Sequence, residues 1–220
     1  MNIFVRFMCV AAGLALAVSQ YFIWEYAPQE ATMGEIQRIF YFHLPFAWWA
    51  FVCFFVVFVS SIGVLAGKGE SWDNVAGASG ELGVLFATLA LFSGSIWAKA
   101  AWNTWWTWDP RLSTALIMWF VYCAYLVLRA GSFESVKKQR ISAVVGIVAF
   151  LDVPLVFFSA RLWRSIHPSV FASRGGGLEP EMWHTVLVCL FAWGLLTFVL
   201  LYLRFGQIRA ERRIAEINRW

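Results

Sequence analysis

His43 and a tryptophan-rich stretch downstream of it are the residues of this sequence whose types and spacing could do chemistry. His43 continues an apolar stripe of three- and four-residue spacing that begins at Met33, which predicts a short helix with both residues on one face. Thr32 and Glu35 have the spacing of a capping box at the start of that helix. An imidazole on an apolar face is either hydrogen-bonded at a membrane interface or a metal ligand, and His43 alone favours the first interpretation.

The tryptophan-rich stretch carries five Trp within the twelve residues 97–108, out of 14 Trp in the whole chain. One or two Trp per helix end are enough to anchor a helix at a lipid–water interface, so interfacial anchoring does not explain this density. If the stretch is helical, Trp102, Trp105, Trp106 and Asp109 share a face and form a flat aromatic platform with a charged border. Asp109 precedes Pro110, so we expect the helix to break there.

A flat aromatic platform suits a large planar ligand, and the cationic residues Lys99 and Arg111 beside it suit carboxylates on that ligand. Haem combines a flat macrocycle, two propionates and an iron that accepts imidazole. His167, in a later polar segment, supplies a second imidazole, so two axial ligands could approach haem from opposite sides.

The composition indicates the class of protein that must position these residues. Of 220 residues, 61% are hydrophobic and 14% charged, against about 45–50% and about 25% in soluble domains. A chain this apolar is in contact with lipid over much of its length, which excludes a disordered, a nucleic-acid-binding or a disulfide-stapled secreted protein. The four Cys lie in apolar stretches without a Cys-x-x-Cys pair, so we expect buried thiols rather than redox chemistry or covalent haem attachment.

We therefore predict an all-α polytopic membrane protein, a single transmembrane domain over residues 1–220. Hydrophilic connections are expected at about 67–80 and 130–140, and the outer tryptophan-rich segment spans 97–112. The six stretches long and apolar enough to span a bilayer are approximately 3–24, 44–66, 82–97, 112–128, 141–160 and 183–205.

The distribution of Lys and Arg predicts the orientation of these spans. With the N-terminus inside, 11 of the 17 basic residues lie on the inner side and six on the outer side, so both termini are predicted to be cytoplasmic. The segments containing His43, the tryptophan-rich stretch and His167 then all face outward. The first span could instead be a cleaved signal peptide, since Ala15-Leu-Ala17 loosely resembles a cleavage site.

Three segments of the sequence resemble the CcmC-type haem-handling membrane proteins of cytochrome c maturation. The stretch from Gly94 to Leu112 is similar to the tryptophan-rich "WWD" segment of that family. Arg38-Ile-Phe-Tyr-Phe-His43-Leu-Pro45 resembles the segment that carries the family's first outer axial His, and 153–167 the segment that carries the second. Asn103 stands where the family often has Gly, Pro110 where it often has Ala, and Leu162-Trp163 where it usually has adjacent Trp residues.

The resemblance implies that the protein binds haem b at the periplasmic face of the bacterial inner membrane and delivers it to the chaperone CcmE. The partners it implies are the ABC-type pair CcmA–CcmB, which would hold the ATPase, and the small CcmD; the chain itself would not be an enzyme. His43 and His167 would be the axial ligands. The family's haem- or chaperone-contacting residues map to Trp102, Trp105, Trp106, Trp108, Asp109 and Arg111, and we add Trp97 and Lys99 from the same stretch.

Two other functions remain open from the residues alone. A cytochrome c synthase that shares a WWD-type segment would attach haem directly, although such proteins generally have more spans. A haem channel would need a polar path, and Asp152 is the main polar residue evident within the spans.

Three features have no assigned role at this point. Asp152 either caps carbonyls freed by Pro154 or faces a water-filled cavity. His184 has no counterpart in the family pattern. The tail 207–220 is predicted to be an amphipathic helix that lies on anionic lipid headgroups or docks a partner.

Overall fold

The computed structural model describes residues 3–131, 135–163 and 178–218, and the regular secondary structure in these ranges is helical. Six segments are long and apolar enough to cross a membrane, with α5 and α6 together forming one of them, which confirms the predicted polytopic helical fold. A π-helical turn, Phe22–Tyr26, follows α1, and a 3₁₀ turn, Glu35–Ile39, precedes α2. The helices are α1 Ile3–Tyr21, α2 Phe40–Leu65, α3 Glu70–Trp102, α4 Pro110–Ala130, α5 Ser135–Phe150, α6 Asp152–Leu162 and α7 Pro180–Ile217.

The predicted inner connection 67–80 is wrong, because α3 begins at Glu70 and only residues 66–69 separate it from α2. The stretch is polar in sequence, but Asp73, Asn74 and Ser79 are buried within the bundle rather than solvated. Small residues interleave with these polar ones, so the helix can approach its neighbours closely.

The predicted fifth span is divided at Leu151 into α5 and α6. Pro154 lacks a backbone N–H, so the carbonyl of Phe150 loses its helical partner and the helix restarts at Asp152. The Oδ2 atom of Asp152 is buried and has no hydrogen-bond partner in the described part of the chain, so that atom does not cap the freed carbonyl.

Helix α2 lies at the centre of the bundle, in contact with α3, α5 and α7. In the larger buried cluster, Phe54 of α2 stacks on Tyr122 of α4 with ring centroids 3.5 Å apart. A second buried cluster joins the π turn and the adjacent ends of α2, α3 and α7. Its members are Ile23, Ala27, Phe40, Tyr41, Trp97, Met182, Val186 and Cys189.

A buried ionic cluster joins α3, α4 and α7 at the opposite end of the bundle. The Asp73 carboxylate accepts hydrogen bonds from Nη1 and Nη2 of Arg129 at 2.7 and 3.1 Å, and a further one from Arg212. Asp73 is only 3% exposed. Because a buried carboxylate is stable only when it is paired and hydrogen-bonded, these contacts allow a polar helix end to pack inside the bundle.

The predicted helical tail is confirmed as helix, but it continues α7 without interruption to Ile217. Ile208 is buried, and Arg212 reaches Asp73 of α3. The start of the tail therefore packs against the protein rather than lying apart on the membrane surface.

Replacing Asp73 with Asn should lower the free energy of unfolding by about 3 kcal/mol, because two guanidinium groups lose their buried counter-charge. Unfolding in detergent, followed by tryptophan fluorescence, measures this change. Glu216→Gln, at an exposed position of α7, is the matched control and should leave the stability unchanged. Equal stability of the two variants would show that the ionic cluster contributes little to the fold.

Candidate functional site

His43 lies in the first turn of α2, where the preceding 3₁₀ turn is fixed to the π turn by Arg38. The Arg38 guanidinium donates to the carbonyl of Ile23, pairs with Glu35, and lies 5.4 Å from the ring centroid of Trp24. These contacts anchor the backbone that carries His43, and they explain the presence of an arginine five residues before it.

The capping box predicted at Thr32 and Glu35 is wrong, and so is the separate helix from residue 33. The carboxylate of Glu30, rather than the Thr32 side chain, accepts the backbone N–H groups of Thr32 and Met33. The 3₁₀ turn begins after Gly34, whose φ of 57° reverses the chain, and it runs directly into α2. His43 consequently belongs to the second span and not to a helix outside it.

The His43 ring packs against one face of α3. Its Nδ1 atom lies 3.1 Å from Oγ of Ser93, and its ring centroid lies 5.9 Å from that of Trp97 in an edge-to-face arrangement. A Cβ atom at Gly94 would come within 2.9 Å of the His43 Cε1 atom, so only glycine allows the ring this position. Ser93, Gly94 and Trp97 therefore form the surface of α3 on which the imidazole packs, and we call these three residues the seat of His43.

The predicted helical platform of Trp102, Trp105, Trp106 and Asp109 is wrong, because α3 ends at Trp102. Asn103 adopts the left-handed conformation with φ 56°, and its N–H donates to the carbonyl of Lys99 at 3.1 Å. This is the usual way in which a helix ends on Gly or Asn. It also explains how Asn can occupy the position where the resembling family often has Gly.

Residues 104–109 connect α3 to α4 without regular secondary structure, and hydrogen bonds attach this connection to both helices. Oγ of Ser95 donates to the carbonyl of Trp105 at 2.7 Å. The Asp109 carboxylate caps α4 by accepting the backbone N–H of Arg111 at 2.9 Å, with Pro110 in the first helical turn. Asp109 is buried, so its observed role is structural rather than that of a charged border.

The indoles of the site differ widely in exposure. Trp97 is 5% exposed and belongs to the second buried cluster, whereas Trp105 and Trp108 are 58% and 78% exposed. Trp102 is 37% exposed, and Trp106 meets Trp108 edge-to-face at 6.0 Å. Trp97 therefore supports His43 from inside the bundle, while Trp105 and Trp108 present open aromatic faces.

The two cations of the site lie in different settings. Arg111 lies in the first turn of α4, where its backbone N–H donates to the Asp109 carboxylate. Nζ of Lys99 instead donates to Oδ1 of Asn103 at 2.8 Å and helps to hold the end of α3. The two cations thus stand at opposite ends of the connection between α3 and α4, one in the last turn of α3 and one in the first turn of α4.

The two remaining histidines are His167 and His184. His167 lies outside the described residues. His184 is exposed on α7, and its Nδ1 atom is 3.0 Å from the Tyr26 hydroxyl.

The sequence analysis did not identify Ser93 as a residue of the site. The adjacent small residues Ser93 and Gly94, directly before the tryptophan-rich stretch, could have indicated a place where another side chain packs closely on α3. Arg38 was noted only as part of a motif, and Glu30 not at all.

This fold and site define a polytopic helical membrane protein that presents one imidazole, two open indoles and a cation at one end of its bundle. The sequence model of the heme exporter protein C family matches residues 1–219. The chain therefore belongs to that family.

Individual relatives agree with the family match. Heme exporter protein C of Bradyrhizobium diazoefficiens is 31% identical over 189 residues, covering 85% of this chain and 72% of the relative. Heme exporter protein C of Escherichia coli strain K12 is 26% identical over 210 residues, covering 93% and 83%. A putative cytochrome c biosynthesis ccmC-like mitochondrial protein of Marchantia polymorpha is 27% identical over 208 residues, covering 94% and 87%.

The left-handed conformation at Asn103 makes a specific prediction. Asn103→Gly should keep the stability of the protein, whereas Asn103→Ala should lower it by about 1 kcal/mol because a Cβ without a polar side chain is strained there. Trypsin cleavage after Lys99 under native conditions measures local opening of the helix end and should be faster in the Ala variant. Equal cleavage of the Gly and Ala variants would contradict a left-handed residue at position 103.

Proposed function

We propose that this protein binds haem b at the periplasmic face of the bacterial inner membrane and delivers it to the haem chaperone CcmE during cytochrome c maturation. In this proposal both termini are cytoplasmic, and the chain works with the ABC-type pair CcmA–CcmB and with CcmD. The observation that carries the proposal is the seated imidazole of His43, with a cation and exposed indoles at the same end of the bundle, in a chain of the heme exporter protein C family.

The described residues fit haem as a cargo. A porphyrin supplies four nitrogen ligands to its iron, so two imidazoles complete the coordination. His43 is the proposed first ligand. His167 is the proposed second, because α6 ends at Leu162 and α7 begins at Pro180, so the connection that carries His167 joins helix ends on the same side of the bundle as His43.

Each of the other residues then has a binding or presenting role. Arg111, at the start of α4, is assigned to a propionate because a guanidinium pairs with a carboxylate, and Trp97 contacts the His43 ring from inside the bundle. Trp105 and Trp108 present wide aromatic faces away from the bundle, where they can stack on a porphyrin or on an approaching chaperone. None of these side chains needs to form a covalent bond to haem, and the proposal assigns the ATPase of the complex to a partner.

Haem transfer to purified apo-CcmE separates binding from delivery. His43→Ala should lose haem during purification, because an axial ligand is removed. The double variant Trp105→Ala/Trp108→Ala should transfer haem about 30-fold more slowly, since two aromatic contacts of about 1 kcal/mol each are lost.

Phe120→Ala, at an exposed aromatic position within α4, is the control and should behave as the unmodified protein. Normal transfer by the double Trp variant would exclude these indoles from delivery. Full haem retention by His43→Ala would contradict the proposed ligand.

A further inference from the structure

The contact between His43 and Ser93 determines which nitrogen of the imidazole carries the proton. The Ser93 Oγ atom lies 2.7 Å from the carbonyl of Leu89 and 3.2 Å from that of Ala90, both one turn earlier in α3. A carbonyl oxygen can only accept, so the single hydroxyl proton of Ser93 is committed to the helix backbone. Oγ then faces His43 with a lone pair.

The contact of Oγ with the Leu89 carbonyl, at 2.7 Å, is shorter than its contact with Nδ1 of His43, at 3.1 Å, so we infer that the hydroxyl proton lies on the former and that Nδ1 donates to Oγ. In a neutral imidazole with hydrogen on Nδ1, the lone pair that binds a metal is on Nε2.

The seat of the ring also restricts its rotation. The backbone at Gly94 lies against Cε1, and Trp97 meets the ring edge-to-face. A flip of the ring would exchange Nδ1 for a carbon at Ser93 and lose the hydrogen bond. Position and protonation are thus set by the same three residues of α3.

We propose that Ser93 is a positioning residue that holds His43 in the Nδ1–H tautomer and so assigns Nε2 as the nitrogen that binds haem iron. The proposal rests on the proposed function, because it takes His43 to be an axial ligand. Hydrogen-bond partners of metal-bound histidines orient the ring and raise its basicity, and their loss typically lowers metal affinity by about 10- to 100-fold.

The first test needs no haem. In the haem-depleted protein labelled with ¹⁵N-histidine, the ring nitrogen shifts of His43, assigned with His43→Gln, should report hydrogen on Nδ1. In Ser93→Ala they should move toward a mixture of tautomers, and in Ser93→Thr, which keeps the hydroxyl, they should stay close to the original. Hydrogen on Nε2 in the unmodified protein would overturn the proposal, whether or not any variant folds.

The second test measures haem loss from the purified, haem-loaded protein to an excess of apomyoglobin. Ser93→Ala should release haem about 10-fold faster or more, and Ser93→Thr should restore most of the difference. Thr197→Ala is the matched control, because it removes a hydroxyl of α7 that donates to its own helix backbone, at Trp193, one turn earlier.

The two possible failures are distinguishable. If His43→Gln retains haem as the unmodified protein does, His43 is not a ligand and the proposed function fails. If His43→Gln loses haem while Ser93→Ala changes neither the nitrogen shifts nor the rate of loss, His43 is a ligand and the role of Ser93 is refuted.

Discussion

The close packing of α2 against α3 at one end of the bundle is the constraint on which the rest of the structure depends. Ser93, Gly94 and Trp97 recur at one-, three- and four-residue spacing, so they lie on one face of α3. That face packs against His43 in the first turn of α2. Ser93 forms a hydrogen bond with the ring, Gly94 leaves the space that the ring occupies, and Trp97 contacts the ring edge-to-face. The position of the imidazole therefore depends on this interface.

The two ends of the bundle are stabilised by different physical means. At the end with His43, aromatic and aliphatic side chains of α2, α3, α7 and the π turn form a nearly uncharged cluster. At the other end, Asp73 joins α3 to α4 and α7 through two arginines, and Glu81 pairs with Arg204. The ionic contacts therefore fix the helices at the end of the bundle that lies away from His43.

The sequence predicted the six membrane-spanning segments because they depend on local pattern, whereas it placed His43 on a separate helix that the structure does not contain. Six apolar stretches require six helices whatever their partners, and a histidine within an apolar stripe is conspicuous. The tryptophan-rich stretch was harder to predict. Its residues have the spacing of a helix face, but α3 ends at Trp102 with Asn103 as its cap. A single Asn is only a weak sequence signal for the end of a helix. The polar start of α3 was mistaken for a loop because its partners, Arg129 and Arg212, are distant in sequence and become neighbours only in the folded bundle.

The absorption spectrum of His43→Gly, purified from haem-replete cells before and after addition of imidazole, tests the central claim most directly. Without imidazole the low-spin bands of a six-coordinate haem should be lost, and added imidazole, which fits the vacated seat, should bring them back. His184→Gly, at the histidine that contacts Tyr26 instead, should keep the original spectrum throughout. A His43→Gly spectrum identical to that of the unmodified protein before imidazole is added would contradict axial ligation by His43.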